Sequence, residues 1–268
     1  MKKFKELKKD IDNRLKRCRG ECCALFFISA GILAAMFFGM YIVIEFLVSA
    51  GFSESMTDTA SIAAIAAVFV VMWIISVPYH YGLRWYRLQQ VRGHSVHVKS
   101  VFSCYFFAKR MLQVYRMSLM LLLKKIVLII PFWILLGGAV YFAVSFDATK
   151  DSIFYSFMVV ILLILAVIVY LAYTIVNIKY AVAPYIFVLG FDRHARDIIS
   201  DSVRFAKGYK GYMIEILRSC AFMLLPCVLV FPMVFVIPKM MMIYTAAVNG
   251  MIENGFAKEK LAVTERRG

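Results

Sequence analysis

The sequence predicts an all-α polytopic integral membrane protein, and three observations carry that prediction. Hydrophobic residues make up 63% of the 268-residue chain, where a soluble domain has roughly 45–50%. The excess is gathered into charge-free blocks at 22–44, 60–83, 126–146, 153–177 and 219–238, and about 20 apolar residues suffice to cross a bilayer. The charges between the blocks are sorted by sign. Basic clusters at 2–19, 80–125, 179–210 and 258–267 alternate with gaps whose acids are Glu54 and Asp58, then Asp147 and Asp151. Nine cations and no acid lie between His80 and Lys125. Sorting of Lys and Arg to one side is the mark of cytoplasmic loops. The expected membrane is a cell (inner) membrane, with the N-terminus and the C-terminus both cytoplasmic. Six transmembrane helices satisfy the pattern, or five if 211–254 crosses only once.

The elements follow in order. Residues 1–21 form a basic arm with Phe4, Leu7, Ile11 and Leu15 at helical spacing, which predicts a helix lying along the bilayer surface. The apolar run after it exceeds the roughly 7–15 residues of a signal-peptide core, so 22–48 reads as an uncleaved first span. The second span, 60–81, carries Pro78, which removes a helical hydrogen bond and is expected to kink or stop it. Gly93 divides the basic stretch that follows. Its second piece, 96–123, interleaves Lys99, Lys109, Arg110 and Arg116 with aromatic and aliphatic residues. A Lys or Arg at mid-bilayer costs roughly 2.5–3.5 kcal/mol, so this piece is expected at the interface, its cations snorkelling to headgroups.

The third span, 126–146, contains Pro131 and Gly137-Gly138, which bend helices or let them approach closely. The fourth is 153–177. An amphipathic helix over 192–209 has Ala195, Ile198, Ile199, Ser202, Phe205 and Ala206 on one face, and Gly208 and Gly211 end it. Residues 211–254 are long enough for two spans, 211–229 and 232–254, joined by a hairpin that Pro226, Pro232 and Pro238 permit. Lys239 fits that hairpin poorly, because it is only partly clear of hydrocarbon. A basic tail, 255–268, ends the chain.

Several short motifs resemble a known family. They are Ala183-Pro184-Tyr185 at a span end, Ser202 in the amphipathic helix, and Lys207-Gly208-Tyr209-Lys210 before the next span. Gly82 through Arg92-Gly93, and Val101-Phe102-Ser103, add to them. Together they resemble the bacterial family catalogued as domain of unknown function 975, related to the membrane domain of some glycerophosphodiester phosphodiesterases. The resemblance covers roughly residues 78–254. It implies a six-helix protein of a bacterial inner membrane and no particular reaction.

Chemistry-bearing residues are sparse. Walker A, dinucleotide-fingerprint, CxxC and HExxH patterns do not occur, so the sequence implies no cofactor, no catalytic residue and no enzyme. Two weak metal candidates, His94 and His97, share a helical spacing without a carboxylate or cysteine nearby. Cys18, Cys22 and Cys23 lack a second ligand pair and read as structural. Glu45 is the only acid inside an apolar block, and Glu215 and Arg218 stand three residues apart at a span end. These three form a possible intramembrane polar site. The net charge of +15 falls in the predicted cytoplasmic loops. It points to anionic lipid headgroups as partners rather than nucleic acid, with Lys99, Lys109, Arg110, Arg116, Lys124, Lys125, Lys207 and Lys210 as contacts. Another membrane protein or a second copy of the chain would fit the same architecture. The expectation is a non-enzymatic accessory, assembly or regulatory component of the membrane. The alternative is a small transporter, or a lipid- or amphiphile-handling protein with polar residues lining an intramembrane path.

Overall fold

Helix follows helix through the computed structural model, which describes residues 4–49, 54–144, 152–191, 193–223 and 230–265. The long elements are α1 (Phe4–Ser49), α2 (Glu54–Arg92), α4 (Ala108–Val144), α5 (Ser152–Asn177) and α9 (Val230–Glu265). Each contains a stretch long and apolar enough to span a bilayer, five in all among the described residues. The chain is therefore an all-α, multi-pass membrane protein. Short helices α3 (Ser103–Phe106), α6 (Ala183–Leu189), α7 (Ala195–Ala206) and α8 (Lys210–Met223) complete the order. The acidic segment around Asp147 and Asp151, and Pro226, where a hairpin is expected, lie outside the described residues.

Among the described residues, most side chains buried by protein lie at one end of the bundle, the end that carries the Lys and Arg residues. The core there joins Ile11 of α1, Leu88 of α2, Met117 of α4, Ile186 and Phe187 of α6, Ile198 of α7, Ile216 of α8, and Ile243 and Val248 of α9. In contrast, only 6% of the apolar windows of α4 and α5 is buried inside the protein. Those helices pair with each other through small residues, with Ala139 and Ala166 buried and Gly138 in contact with Leu162. Close approach at small residues is how helices associate in lipid, where no hydrophobic drive separates tail from side chain.

Two glycines turn the chain where the sequence places breaks. Gly93 ends α2 at φ 90° and Gly208 ends α7 at φ 88°, a region that suits a residue without Cβ. The buried face of α7 is Ile198, Ile199, Ser202, Phe205 and Ala206, the face expected from its periodicity. Ser202 donates to the Lys179 carbonyl at 2.7 Å. Thus the motif around α6 and α7 is structural: Ala183, Pro184 and Tyr185 are buried in the middle of the core.

Three boundaries differ from the expected ones. Pro78 does not stop α2, which continues to Arg92. A proline at this position deprives the Ile74 carbonyl of its donor and crowds that turn. The chain answers with two tyrosines: Tyr115 donates to the Ile74 carbonyl at 2.6 Å, and Tyr105 donates to the Ile75 carbonyl. Proline is tolerated in membrane helices when neighbours restore the freed backbone groups in this way. Second, residues 96–123 are not one interfacial helix. A 3-10 turn, Val98–Phe102, and α3 lead to an extended Phe107 (φ −122°, ψ 104°). There α4 begins and runs unbroken through Lys124, Lys125 and Pro131. At about 1.5 Å per residue it is about 55 Å long, well beyond a hydrocarbon core of about 30 Å. Its basic first turns therefore reach past the hydrocarbon as part of a span. Third, the arm does not lie free on a surface. It continues into the first span as α1, kinked at Cys18 (φ −120°, ψ 22°), with Leu7 and Ile11 buried against α2 and α9.

Candidate functional site: the basic end of the bundle

The docked arm carries charges of both signs. Lys8, Lys9 and Lys16 point outward, whereas Asp10 and Asp12 are half-buried. Asp12 forms an ion pair with Lys239 of α9, which resolves the awkward position of that lysine: it sits beside the arm at the basic end. Arg14 donates to the Gln90 carbonyl at 3.1 Å, and Glu21 accepts from the Tyr86 hydroxyl. Arg92 at the end of α2 donates to Asn249 at 3.0 Å, and Asn249 donates to Glu253 at 2.8 Å. Polar side chains thus join α1, α2 and α9, the common use of such groups between membrane helices.

Several cavities flank this seam, among them one of about 470 Å³ lined by Asp12, Leu15 and Lys239, and three more. The largest, about 760 Å³, lies between the arm and the segment after α2, lined by Asp10, Arg14, Glu21, Gln90, His94 and His97 among others. Another of about 440 Å³ is bounded by Ile11, Arg92, Asn249 and Glu253. The last, about 360 Å³ and mostly apolar, runs between α1, α2 and α9 with Arg87 and His80 in its wall.

The residues singled out from the sequence fall in separate places. Glu45 is exposed near the end of α1, and Glu215 and Arg218 are both exposed on α8, where they form no ion pair with each other. None of the three lines the cavities just described. The structure therefore does not assemble them into one polar path. Both His94 and His97 border the largest cavity, and His94 Nδ1 sits 2.7 Å from the Gln89 amide oxygen. Among the described residues no three His, Cys, Asp or Glu side chains come together as metal ligands. The Cys22 thiol donates to Cys18 at 3.8 Å, which holds the Cys18 thiol below its ordinary pKa of 9.0. Burial instead pushes the Cys104 thiol up.

The lysines and arginines of the expected headgroup face are exposed, as such a face requires: Lys99, Lys109, Arg110, Arg116, Lys124, Lys207 and Lys210. Lys125 is half-buried. Arg110 stacks over Phe107 at 4.7 Å and Phe191 at 5.4 Å. Sequence reasoning did not single out Arg84 and Arg87, which lie in the helical piece between the second span and Gly93. His80, Arg84, Arg87 and Val91 recur at helical spacing, and that periodicity was the available signal for one continuous α2.

No protein-family model matches the chain, and no curated protein or solved structure matches it either.

Proposed function

We propose that this chain is a non-enzymatic component of a bacterial inner membrane, its basic end on the cytoplasmic side and engaged with anionic lipid headgroups. In this reading it acts as an accessory, assembly or regulatory protein. The kinship suggested by the Ala183-Pro184-Tyr185 and Lys207–Lys210 motifs belongs to the same proposal. One observation carries it: the exposed cations Lys109, Arg110, Arg116 and Lys124 lie on the first half of α4, a helix of about 55 Å that is longer than a hydrocarbon core of about 30 Å. A cation near the surface attracts an anionic leaflet by about 1 kcal/mol. The core of the protein lies at the same end, so the charged face is presented on a packed base rather than on loose connections.

The test is the lipid composition around the protein. The chain is extracted with its surrounding lipid in polymer nanodiscs, and anionic lipid is measured relative to the parent membrane. Roughly two- to fivefold enrichment is expected, falling to the membrane average when Lys109, Arg110, Arg116 and Lys124 are all changed to Gln. Wild-type discs with the composition of the parent membrane refute the reading.

A further inference from the structure

The mostly apolar cavity of about 360 Å³ has features of its own. It is walled by α1, α2 and α9, which cross where Cys22 approaches Met242 at 4.0 Å. Leu25, Phe26, Leu33, Ile237 and Met241 supply apolar wall. Ala30, Leu33, His80 and Met241 are exposed at its mouth. All lie within the stretches of α1, α2 and α9 that are long and apolar enough to cross a membrane; where those stretches cross, the mouth opens to lipid.

Arg87 is set into this wall, half-buried. Its electrostatic neighbours are Tyr185, Cys22, Arg84 and Tyr79, with no carboxylate among them. Arg84 in turn neighbours Lys125, so three cations gather here. Nearby acids are committed elsewhere: Glu21 to the Tyr86 hydroxyl, and Asp12 to Lys239. Among the described residues Arg87 makes no ion pair. A desolvated guanidinium without an anion is costly, and its planar fork matches phosphate oxygens in a bidentate manner. Arg87 lies five residues from the end of α2, about 7 Å along the axis.

We propose that the groove between α1, α2 and α9 holds one anionic phospholipid from the leaflet at the basic end. Its phosphate sits on Arg87 and its acyl chains lie against Leu25, Phe26, Leu33, Ile237 and Met241. A free anion would satisfy Arg87 and leave the apolar wall uncovered. A zwitterionic lipid would cover the wall while bringing its own cation toward Arg84 and Arg87. The inference rests on the proposed function only for its class of ligand, and the bound lipid is distinct from the annular lipid of the α4 face.

Native mass spectrometry of the full chain, delipidated in mild detergent and then titrated with phosphatidylglycerol, phosphatidylcholine of the same chains, or inorganic phosphate, tests this. One phosphatidylglycerol per chain is expected, with phosphatidylcholine roughly tenfold weaker and no retained phosphate. R87Q should weaken phosphatidylglycerol by roughly tenfold. A30W, which fills the mouth without touching a charge, should do the same, and it decides the matter if R87Q fails to fold. The four-fold Gln variant of α4 should keep this lipid while losing annular enrichment, which separates the two proposals. Equal binding of the two lipids, or phosphatidylglycerol retained by A30W as by the wild type, overturns the groove site.

Discussion

Tyr115→Phe is the sharpest test of how α2 survives its proline. Pro78 has no N–H, so the Ile74 carbonyl loses the donor that an ordinary residue would supply from the next turn. The Tyr115 hydroxyl replaces it at 2.6 Å, and the Trp73 and Tyr115 rings touch, with centroids 5.7 Å apart. Removing one hydroxyl keeps the ring contact and leaves the carbonyl unmet in a segment facing lipid. Interhelical hydrogen bonds in membranes are worth about 0.6–1.7 kcal/mol, and an orphaned buried acceptor costs about 1–3 kcal/mol. A loss of about 1–2 kcal/mol follows. For a chain of this size that is a fall of about 3–6 °C in melting temperature, measured by intrinsic fluorescence in one detergent. The decisive comparison is Tyr115→Phe in a Pro78→Ala background. An alanine at this position restores the N–H to the Ile74 carbonyl, so the tyrosine becomes dispensable and the effect of Tyr115→Phe should shrink to a small fraction of its value. An equal loss in both backgrounds would show that Tyr115 acts through packing alone, and the account of Pro78 would fail.

Two further outcomes are expected. At Gly82, an added Cβ would stand 1.8 Å from the Val101 carbonyl oxygen and 2.8 Å from its carbon, backbone atoms that cannot swing aside. Gly82→Ala should therefore cost about 2–3 kcal/mol through overpacking, or about 5–10 °C, whereas Gly137→Ala, with nothing within 4 Å, should be neutral or slightly stabilising. Similar melting temperatures for the two variants would refute the close approach of α2 to the 3-10 turn. Burial raises the Cys104 thiol above its ordinary 9.0. The folded chain holds that proton more tightly than the unfolded one, so the associated stability is complete below pH 9 and is lost as pH rises past it. Melting temperature should fall more steeply above about pH 9 for wild type than for Cys104→Ala, and parallel curves would count against a buried neutral thiol.

What the sequence disclosed, and what it withheld, follows from one physical ambiguity. Periodicity reports that a helix has a covered face without saying what covers it. For α7 this did no harm: Ile198, Ile199, Ser202, Phe205 and Ala206 are buried by protein, and the glycines at 93 and 208 turn the chain because few residues other than glycine accept their backbone angles. For the arm the same periodicity suggested a bilayer surface, yet Leu7 and Ile11 are covered by α2 and α9. The acids of the arm argue against a lipid surface. A helix meant for anionic headgroups gains nothing from Asp12 or Glu21, and each has a protein partner, Lys239 and Tyr86. Those partners lie 227 and 65 residues away in sequence, beyond the reach of any local pattern. Arg87 inverts the case. The charge-free block ends before it, at Arg84, although the stripe His80, Arg84, Arg87, Val91 continues the helix to Arg92. A cation kept within a span by periodicity, while no acid among the described residues comes to meet it, is what motivates the proposed anion from the membrane.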